Sequence, residues 1–278
     1  MSVIIGIDVG GSITKIIGFK NERLLGVLQV RATDQVTSIF GALGNFLHRH
    51  DITIGEISAI VLTGVGASYF EGKVYGINTY KVDEFKAIGY GGCFLAGKEE
   101  AFVASLGTGT AFVRAAKDGV THIGGSGVGG GTILGLAAAM LKISDIPSIL
   151  GLARGGNLEN VDLSVQEIFN YEMPSLPPNF TASNFGKIKG AVTDADLALG
   201  IINMVFQTVG MMAVFAARND SLKDVVLTGS LASFPQVPEI FSKITDVFGT
   251  NFIIPQNAAY ATAIGAVAYH KTRPAPQL

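Results

Sequence analysis

The chain has 278 residues, 48% apolar and only 15% charged, with a net charge of −2 and a single cysteine, Cys93. That length holds two domains or one large one, each able to bury a core. The near-neutral charge predicts neither nucleic acid nor an anionic membrane as a partner, and one cysteine leaves no internal disulfide and no multi-cysteine zinc or iron–sulfur site within one chain.

The opening Val3-Ile4-Ile5-Gly6-Ile7-Asp8 carries no basic leader or cleavage site, so a cytoplasmic protein is expected. Residues 3–7, 16–19 and 25–30 read as three short strands joined by tight turns. A helix at 36–48, strands at 59–62 and 81–83, and a helix at 85–94 follow. His48 and His50 flank an arginine at the first helix end and are expected to be solvated and to cap carbonyls. Near residue 101 the pattern restarts. A strand at 102–106, the turn Gly107-Thr108-Gly109-Thr110 and a strand at 111–115 repeat the opening hairpin. This predicts two copies of a βββαβα-type unit, residues 1–105 and 106–278.

Helices at 132–141 and 147–153 come next, then a long apolar segment at 197–217, a strand at 225–227, helices at 237–248 and 258–270, and a frayed tail at 271–278. The long segment has the length of a membrane span, but Asn203, Gln207 and Thr208 interrupt it. It is expected to be a buried soluble helix, started by Thr193 or Asp194 and lying in the core or at a dimer interface. A composition poorer in charge than the usual quarter fits such an interface.

Four places carry chemistry. In Asp8-Val9-Gly10-Gly11-Ser12-Ile13-Thr14-Lys15 the paired glycines let backbone approach a phosphate, Ser12 and Thr14 offer hydroxyls, Lys15 a positive charge, and Asp8 a strand-end carboxylate able to hold Mg²⁺ through water. Thr108 sits in the equivalent turn of the second half. The run Gly124-Gly125-Ser126-Gly127-Val128-Gly129-Gly130-Gly131-Thr132 leads into a helix, whose free N–H groups favour phosphate or nucleotide. It contains Gly-x-Gly-x-x-Gly, but helix rather than strand follows, which excludes a dinucleotide-binding βαβ unit. The strand end Thr228-Gly229-Ser230 offers bare backbone to a purine or ribose. Neither a Walker A sequence nor a Gly-x-Ser-x-Gly elbow is present. Phosphoryl transfer to a hydroxyl also needs a carboxylate to accept the proton. Asp83 and Glu84 follow a strand, whose adjacent residues point to opposite faces, so only one of them enters the cleft; Asp83 is the better N-cap, which leaves Glu84 as the candidate base.

With these residues in place the chain resembles the acetate kinase, sugar kinase and actin superfamily, and within it the type II pantothenate kinases. Asp8 to Lys15 matches the first phosphate loop, Gly107 to Thr110 the second, and Gly129-Gly130-Gly131-Thr132 with Gly135-Leu136 the glycine-rich nucleotide segment. The more specific match is Val161-Asp162-Leu163-Ser164-Val165 followed by Leu176-Pro177 and Thr181-Ala182-Ser183-Asn184-Phe185-Gly186. The resemblance implies an α/β fold of two actin-like (ribonuclease H-like) domains flanking a nucleotide cleft. It also implies a homodimer that uses ATP and Mg²⁺ to phosphorylate the primary hydroxyl of pantothenate. It places the general base on Glu84 and nucleotide contacts on Gly10 to Lys15, Thr108, Gly130 to Leu134 and Ser230. The family's arginine ahead of the glycine stretch, which contacts the acyl substrate, is His122 here, and an imidazole lacks the guanidinium fork. A kinase of the same fold acting on another hydroxylated metabolite, such as an amino sugar, would share the nucleotide site and differ at Glu84 and His122. An activator of an iron–sulfur dehydratase needs paired cysteines, and an actin-like filament or a sugar-responsive repressor completes the alternatives.

Overall fold

The computed structural model describes residues 2–32, 34–169, 176–218 and 222–272. The chain begins with an antiparallel meander of β1 (Val3–Val9), β2 (Ile13–Lys20) and β3 (Arg23–Arg31). β1 and β2 are nearly continuous apolar runs because both of their faces are covered. Helix α1 (Gln35–His50) follows; its first turn is capped by Asp34, which accepts from the Thr37 N–H at 2.6 Å. Ile39, Leu43 and Phe46 of α1 are buried against the sheet. His50 is not simply solvated: it lies against Phe46 with ring centroids 4.4 Å apart, in space left by the missing side chain of Gly26. Strands β4 (Ile57–Thr63) and β5 (Thr79–Lys81) then join in parallel, giving the order β3-β2-β1-β4-β5. Helix α2 (Glu84–Ala96) closes this half.

The second sheet repeats the plan. Strands β6 (Ala101–Leu106), β7 (Thr110–Ala116) and β8 (Gly119–Ser126) form its meander. After it come α3 (Gly130–Leu141), α4 (Ile146–Ala153), a short ladder of β9 (Leu163–Ser164) and β10 (Thr181–Ser183) around α5 (Val165–Ile168), and α6 (Asp194–Arg218). Strand β11 (Asp224–Thr228), helix α7 (Val237–Phe248), strand β12 (Asn251–Ile253) and helix α8 (Ala261–Thr272) end the described chain. The order β12-β11-β6-β7-β8 mirrors the first sheet strand for strand.

Several expectations shift. Gly124 and Gly125 belong to β8 rather than to a loop; Gly125 has no side chain because a Cβ there would sit 2.8 Å from the Thr110 carbonyl oxygen. Strand β5 lies two residues earlier than expected, because Asp83 already caps α2. The three-residue edge strand β12 is added in parallel to β11. Lys271 and Thr272 finish α8, and the remainder of the expected tail, 273–278, lies outside the described residues. The expected junction at 105 falls inside β6, which pairs wholly within the second sheet.

The halves also exchange their last helices. α2 packs on β6, β7, β8 and β11 of the second sheet, while α8 returns to β1, β4 and β2 of the first; the two helices cross each other extensively. Helix α6 is long and apolar enough to cross a bilayer, yet most of it is buried against α3, α4 and α7. Fully buried Ile201, Ile202, Val205, Phe206 and Val209 each contribute roughly 1.5–3 kcal/mol there. Thr193 starts α6 through a capping box, its hydroxyl accepting from the Asp196 N–H at 3.1 Å and its own N–H donating to Asp196 Oδ2 at 3.2 Å. Two of the three interrupting polar residues, Asn203 and Gln207, belong to a network around Asp162, which is 5% exposed. Its carboxylate accepts from Asn203 Nδ2 at 2.7 Å, Asn184 Nδ2 at 3.1 Å, Thr181 Oγ1 at 3.3 Å and the Phe185 N–H at 2.9 Å, while Gln207 bonds Asn184 and Thr181. This network ties the family-specific segment to α6.

Candidate active site

Asp8, at the end of β1, pairs in register with Lys15 on β2 and with Thr63 on β4. Cross-strand partners share a sheet face, so Lys15, Asp8 and Thr63 form one row. Asp8 and Lys15 are each only 8% exposed. Burial raises the Asp8 carboxyl above its ordinary range, with the Lys15 charge pulling back, and burial lowers the Lys15 ammonium against the opposing pull of Asp8 and then Glu84. Beyond them Gly10 closes the hairpin, its N–H donating to the Ile13 carbonyl at 3.2 Å, and Gly11 and Ser12 form an exposed tip. Thr14 turns to the opposite sheet face, where its hydroxyl is buried without a partner, so it does not join Lys15.

The strand ends at Lys81, and the choice between the two carboxylates follows from helix geometry rather than from strand alternation. Asp83 accepts from the Lys86 N–H at 3.0 Å as the N-cap, which leaves Glu84 in the first turn, within electrostatic reach of Asp8 and Lys15. Burial is the largest cause raising the Glu84 carboxyl, reinforced by Asp8 and Asp83 and opposed by Lys15. Next to it, the Phe85 ring stacks on the exposed His122 of β8, with centroids 3.9 Å apart and planes 13° from parallel. His122 of the second sheet is thereby held against the first turn of α2, the turn that carries Glu84.

The second-half residues assemble separately. The Gly130 and Gly131 N–H groups donate to the Gly107 and Thr108 carbonyls, both at 2.9 Å, and the Gly129 N–H donates to Thr132 Oγ1 at 3.1 Å. These N–H groups at the start of α3 are therefore spent on the turn, not free as expected. The glycines serve close approach instead, since a Cβ on Gly129 would stand 2.7 Å from the Thr108 carbonyl oxygen. Gly130 backs onto Leu231, which brings the Ser230 turn alongside, Thr108 is exposed at the turn, and Leu134 packs half-buried on the second core. The arrangement is a neutral backbone cradle, against the charged row of the first half.

One feature of the site escaped the sequence reading although it is written in it. Val61-Leu62-Thr63-Gly64-Val65-Gly66-Ala67-Ser68 and Val226-Leu227-Thr228-Gly229-Ser230-Leu231-Ala232-Ser233 agree at six of eight positions. Both close the parallel strand beside the central one, so the loop after β4 is the first-half counterpart of the Ser230 turn. Comparing short strand ends, rather than whole halves, would have found it. A hollow of about 500 Å³ lined by Glu159, Asn160, Lys187, Lys189 and Thr193 shares no residue with this site.

A cation fits the first half in one way. Among the described residues no group of three or more metal-ligating side chains exists, and no protein group hydrogen-bonds the Asp8 carboxylate. Asp8 thus offers a single buried oxygen donor set, and the other ligands of a Mg²⁺ ion would be water and nucleotide phosphate.

The model of the Fumble family matches residues 100–268. A type II pantothenate kinase of Bacillus cereus (strain G9842) is 27% identical over 279 residues, spanning 95% of this chain and 97% of that protein. One from Staphylococcus epidermidis (strain ATCC 35984) is 29% identical over 273 residues, spanning 95% and 98%. Among solved structures, the activator of the 2-hydroxyisocaproyl-CoA dehydratase from Clostridium difficile with bound ADPNP is similar at a TM-score of 0.70 and 16% identity, covering 96% of this chain and 93% of that one. The ROK hexokinase from Thermus thermophilus is similar at 0.55 and 14%, covering 98% and 100%. These likenesses bear on the fold, and the expected two-domain actin-like α/β architecture is the one found. With the family model spanning more than half of its length and the relatives nearly all of it, the chain belongs to the Fumble family, as the resemblance to type II pantothenate kinases implied.

Proposed function

We propose that the protein is an ATP-dependent kinase that phosphorylates the primary hydroxyl of pantothenate to give 4′-phosphopantothenate. The observation that carries this reading is the placement of Glu84, a carboxylate with a raised pKa, beside a buried aspartate–lysine pair at a glycine hairpin. Glu84 takes the hydroxyl proton as the oxygen forms its bond to the γ-phosphorus and the bond from that phosphorus to ADP breaks. Lys15 and the Gly11 backbone hold phosphate oxygens, the Gly10 N–H being taken by the Ile13 carbonyl, while Thr108, Gly129 to Thr132, Leu134 and Ser230 line the nucleotide side. Asp8 would hold Mg²⁺ through water, and the ion would neutralise charge on the phosphates. His122, on its Phe85 platform, faces the acyl end of the acceptor. The names of the relatives favour pantothenate over an amino sugar. Cys93, half-buried on α2 with burial pushing its thiol up to about 11, is a poor thiolate ligand and argues against a shared iron–sulfur cluster.

The same reading makes the protein a cytoplasmic homodimer that binds neither nucleic acid nor membrane. Its support is an apolar stripe on α6 that the monomer leaves partly uncovered: Met204, Met211 and Phe215, the last 57% exposed. Met140 on α3, 43% exposed, extends the uncovered apolar surface. Coupled ADP release measured with pantothenate, pantetheine and amino sugars tests the activity. Pantothenate-dependent turnover is expected; turnover with an amino sugar alone would assign the chain to the alternative substrate.

A further inference from the structure

The two copies of the repeated octapeptide share local geometry as well as letters. Thr63 and Thr228 are fully buried, each with an unpartnered hydroxyl. Gly64 has φ +86° and ψ 163°, and Gly229 φ +88° and ψ 171°. Each glycine opens a 3-10 turn, Val65–Tyr69 and Ser230–Ser233. In the first, Ser68 Oγ donates to the Val65 carbonyl at 2.7 Å; in the second, Ser233 Oγ donates to the Ser230 carbonyl at 2.8 Å. The register is the same too, Thr63 lying opposite Asp8 and Thr228 opposite Ser105. Backbone in this region is essentially restricted to glycine, so both positions carry the same conformational requirement.

What differs is what each glycine faces. A Cβ on Gly229 would run into the main chain of Leu106, with its carbonyl carbon at 2.7 Å. A Cβ on Gly64 would stand 2.5 Å from Asp8 Oδ1, and 2.8 Å from the Val9 carbonyl oxygen. The Asp8 carboxylate therefore leans across the end of β4, over bare backbone. Since no described protein group hydrogen-bonds it, and the neighbouring Thr63 hydroxyl makes no bond either, its direction is set by the shape of its walls together with the undirected pull of the Lys15 charge.

We infer that Gly64 is a positioning residue for Asp8: the space left by its missing side chain sets the direction in which the carboxylate meets the Mg²⁺–nucleotide, on the reading that the Asp8–Lys15 pair receives the phosphates. Its twin Gly229 has no such part, because the second half has Ser105 where the first has Asp8.

The matched variants Gly64→Ala and Gly229→Ala test this, since the backbone penalty is common to both. ADP affinity is measured by calorimetry with and without Mg²⁺, beside thermal unfolding. Gly64→Ala should lower the ratio of the two affinities by about tenfold, towards the value given by Asp8→Asn, while Gly229→Ala keeps the parent ratio. An unchanged ratio in Gly64→Ala, or an equal fall in both variants, overturns the assignment. Should Gly64→Ala not fold, it is compared with the Asp8→Ala/Gly64→Ala double variant in a stabilising osmolyte, the Val9 contact and the backbone penalty being common to both: a double variant that is the more stable of the two supports the carboxylate as an obstacle, and one that is no more stable overturns it. A parent protein that binds nucleotide but does not phosphorylate pantothenate would sink the functional reading while leaving the affinity ratio interpretable.

Discussion

The crossing of α2 and α8 is the tightest helix contact in the molecule's centre, and a single methyl there should damage activity far more than stability. A Cβ on Gly91 would collide with the carbonyl oxygen of Ala261, and one on Gly265 with the carbonyl oxygen of Ala87. Restoring an ordinary carbon–oxygen contact forces the helices apart by about 1 Å. Overpacking of this kind costs typically about 1–3 kcal/mol, and alanine returns roughly 1 kcal/mol of helix propensity. The net loss in Gly91→Ala is about 0–2 kcal/mol, or at most roughly 8 °C in Tm for a chain of this size. Turnover is more sensitive, because Glu84 rides on the first turn of α2 and a misplacement of about 1 Å can cost about a hundredfold. Thermal unfolding followed by circular dichroism, with coupled ADP release, measures both quantities. Gly44→Ala on α1, where the new methyl meets nothing within 4 Å, is the control and should gain stability with full activity. If Gly91→Ala behaves like that control, the crossing does not position Glu84 and the reasoning fails.

Glu84→Gln keeps shape but cannot accept a proton, so turnover should fall by about 10²- to 10⁴-fold with nucleotide affinity retained, whereas Asp83→Ala should cost about 1 kcal/mol of helix cap and little activity; the reverse pattern refutes the assignment. Because Glu84 is raised above its ordinary 4.5, kcat/KM should rise with pH on an acid limb centred above that value, and the limb should vanish in the glutamine variant. The sign for stability follows from the same shift: the stabilisation from the protonated form is full below about 4.5 and is lost as pH rises through the folded-state value. Glu84→Gln should therefore gain stability relative to the parent across that window, in pH-dependent urea unfolding. Light scattering should return twice the chain mass for the parent and one chain mass for Phe215→Asp, and a parent of one chain mass refutes the dimer.

The first hairpin could be read from sequence because its strands are buried on both faces and its tip carries the glycines and charges together. The capping role of Asp83 was also readable, since an N-cap is a local signal; alternation along a strand does not separate Asp83 from Glu84, as the strand stops at Lys81. Strand β8 was missed because its residues 121–123 are exposed and Gly124 and Gly125 remove the side-chain alternation that marks a strand. The role of Asp162 was invisible for a different reason. The residues that bond it stand 19 to 41 positions away, and nothing in the local pattern says that they meet. Asn203 and Gln207 were read as interruptions of an apolar helix, when they are the ends of that network.

Register shows how two halves of one plan came to differ. Asp8 pairs with Lys15 and Thr63 in the first sheet; the equivalent row of the second is Ser105 with Ala111 and Thr228. The threonine persists while both charges are gone, so a phosphate or a cation is attracted to the first half, and the second offers neutral backbone suited to the less polar parts of a nucleotide. Glu84 belongs to neither sheet. It starts a helix that leaves the first sheet and packs on the second, and α8 makes the opposite journey, so the carboxylate comes within electrostatic reach of Asp8 and Lys15 from a support anchored across the molecule. A kinase must avoid passing its phosphoryl group to water. On the proposed reading, Glu84 is a proton acceptor mounted on the half opposite the charges that receive phosphate, so its reach depends on how the two halves meet, and the glycine crossing of α2 with α8 is where that relation is held.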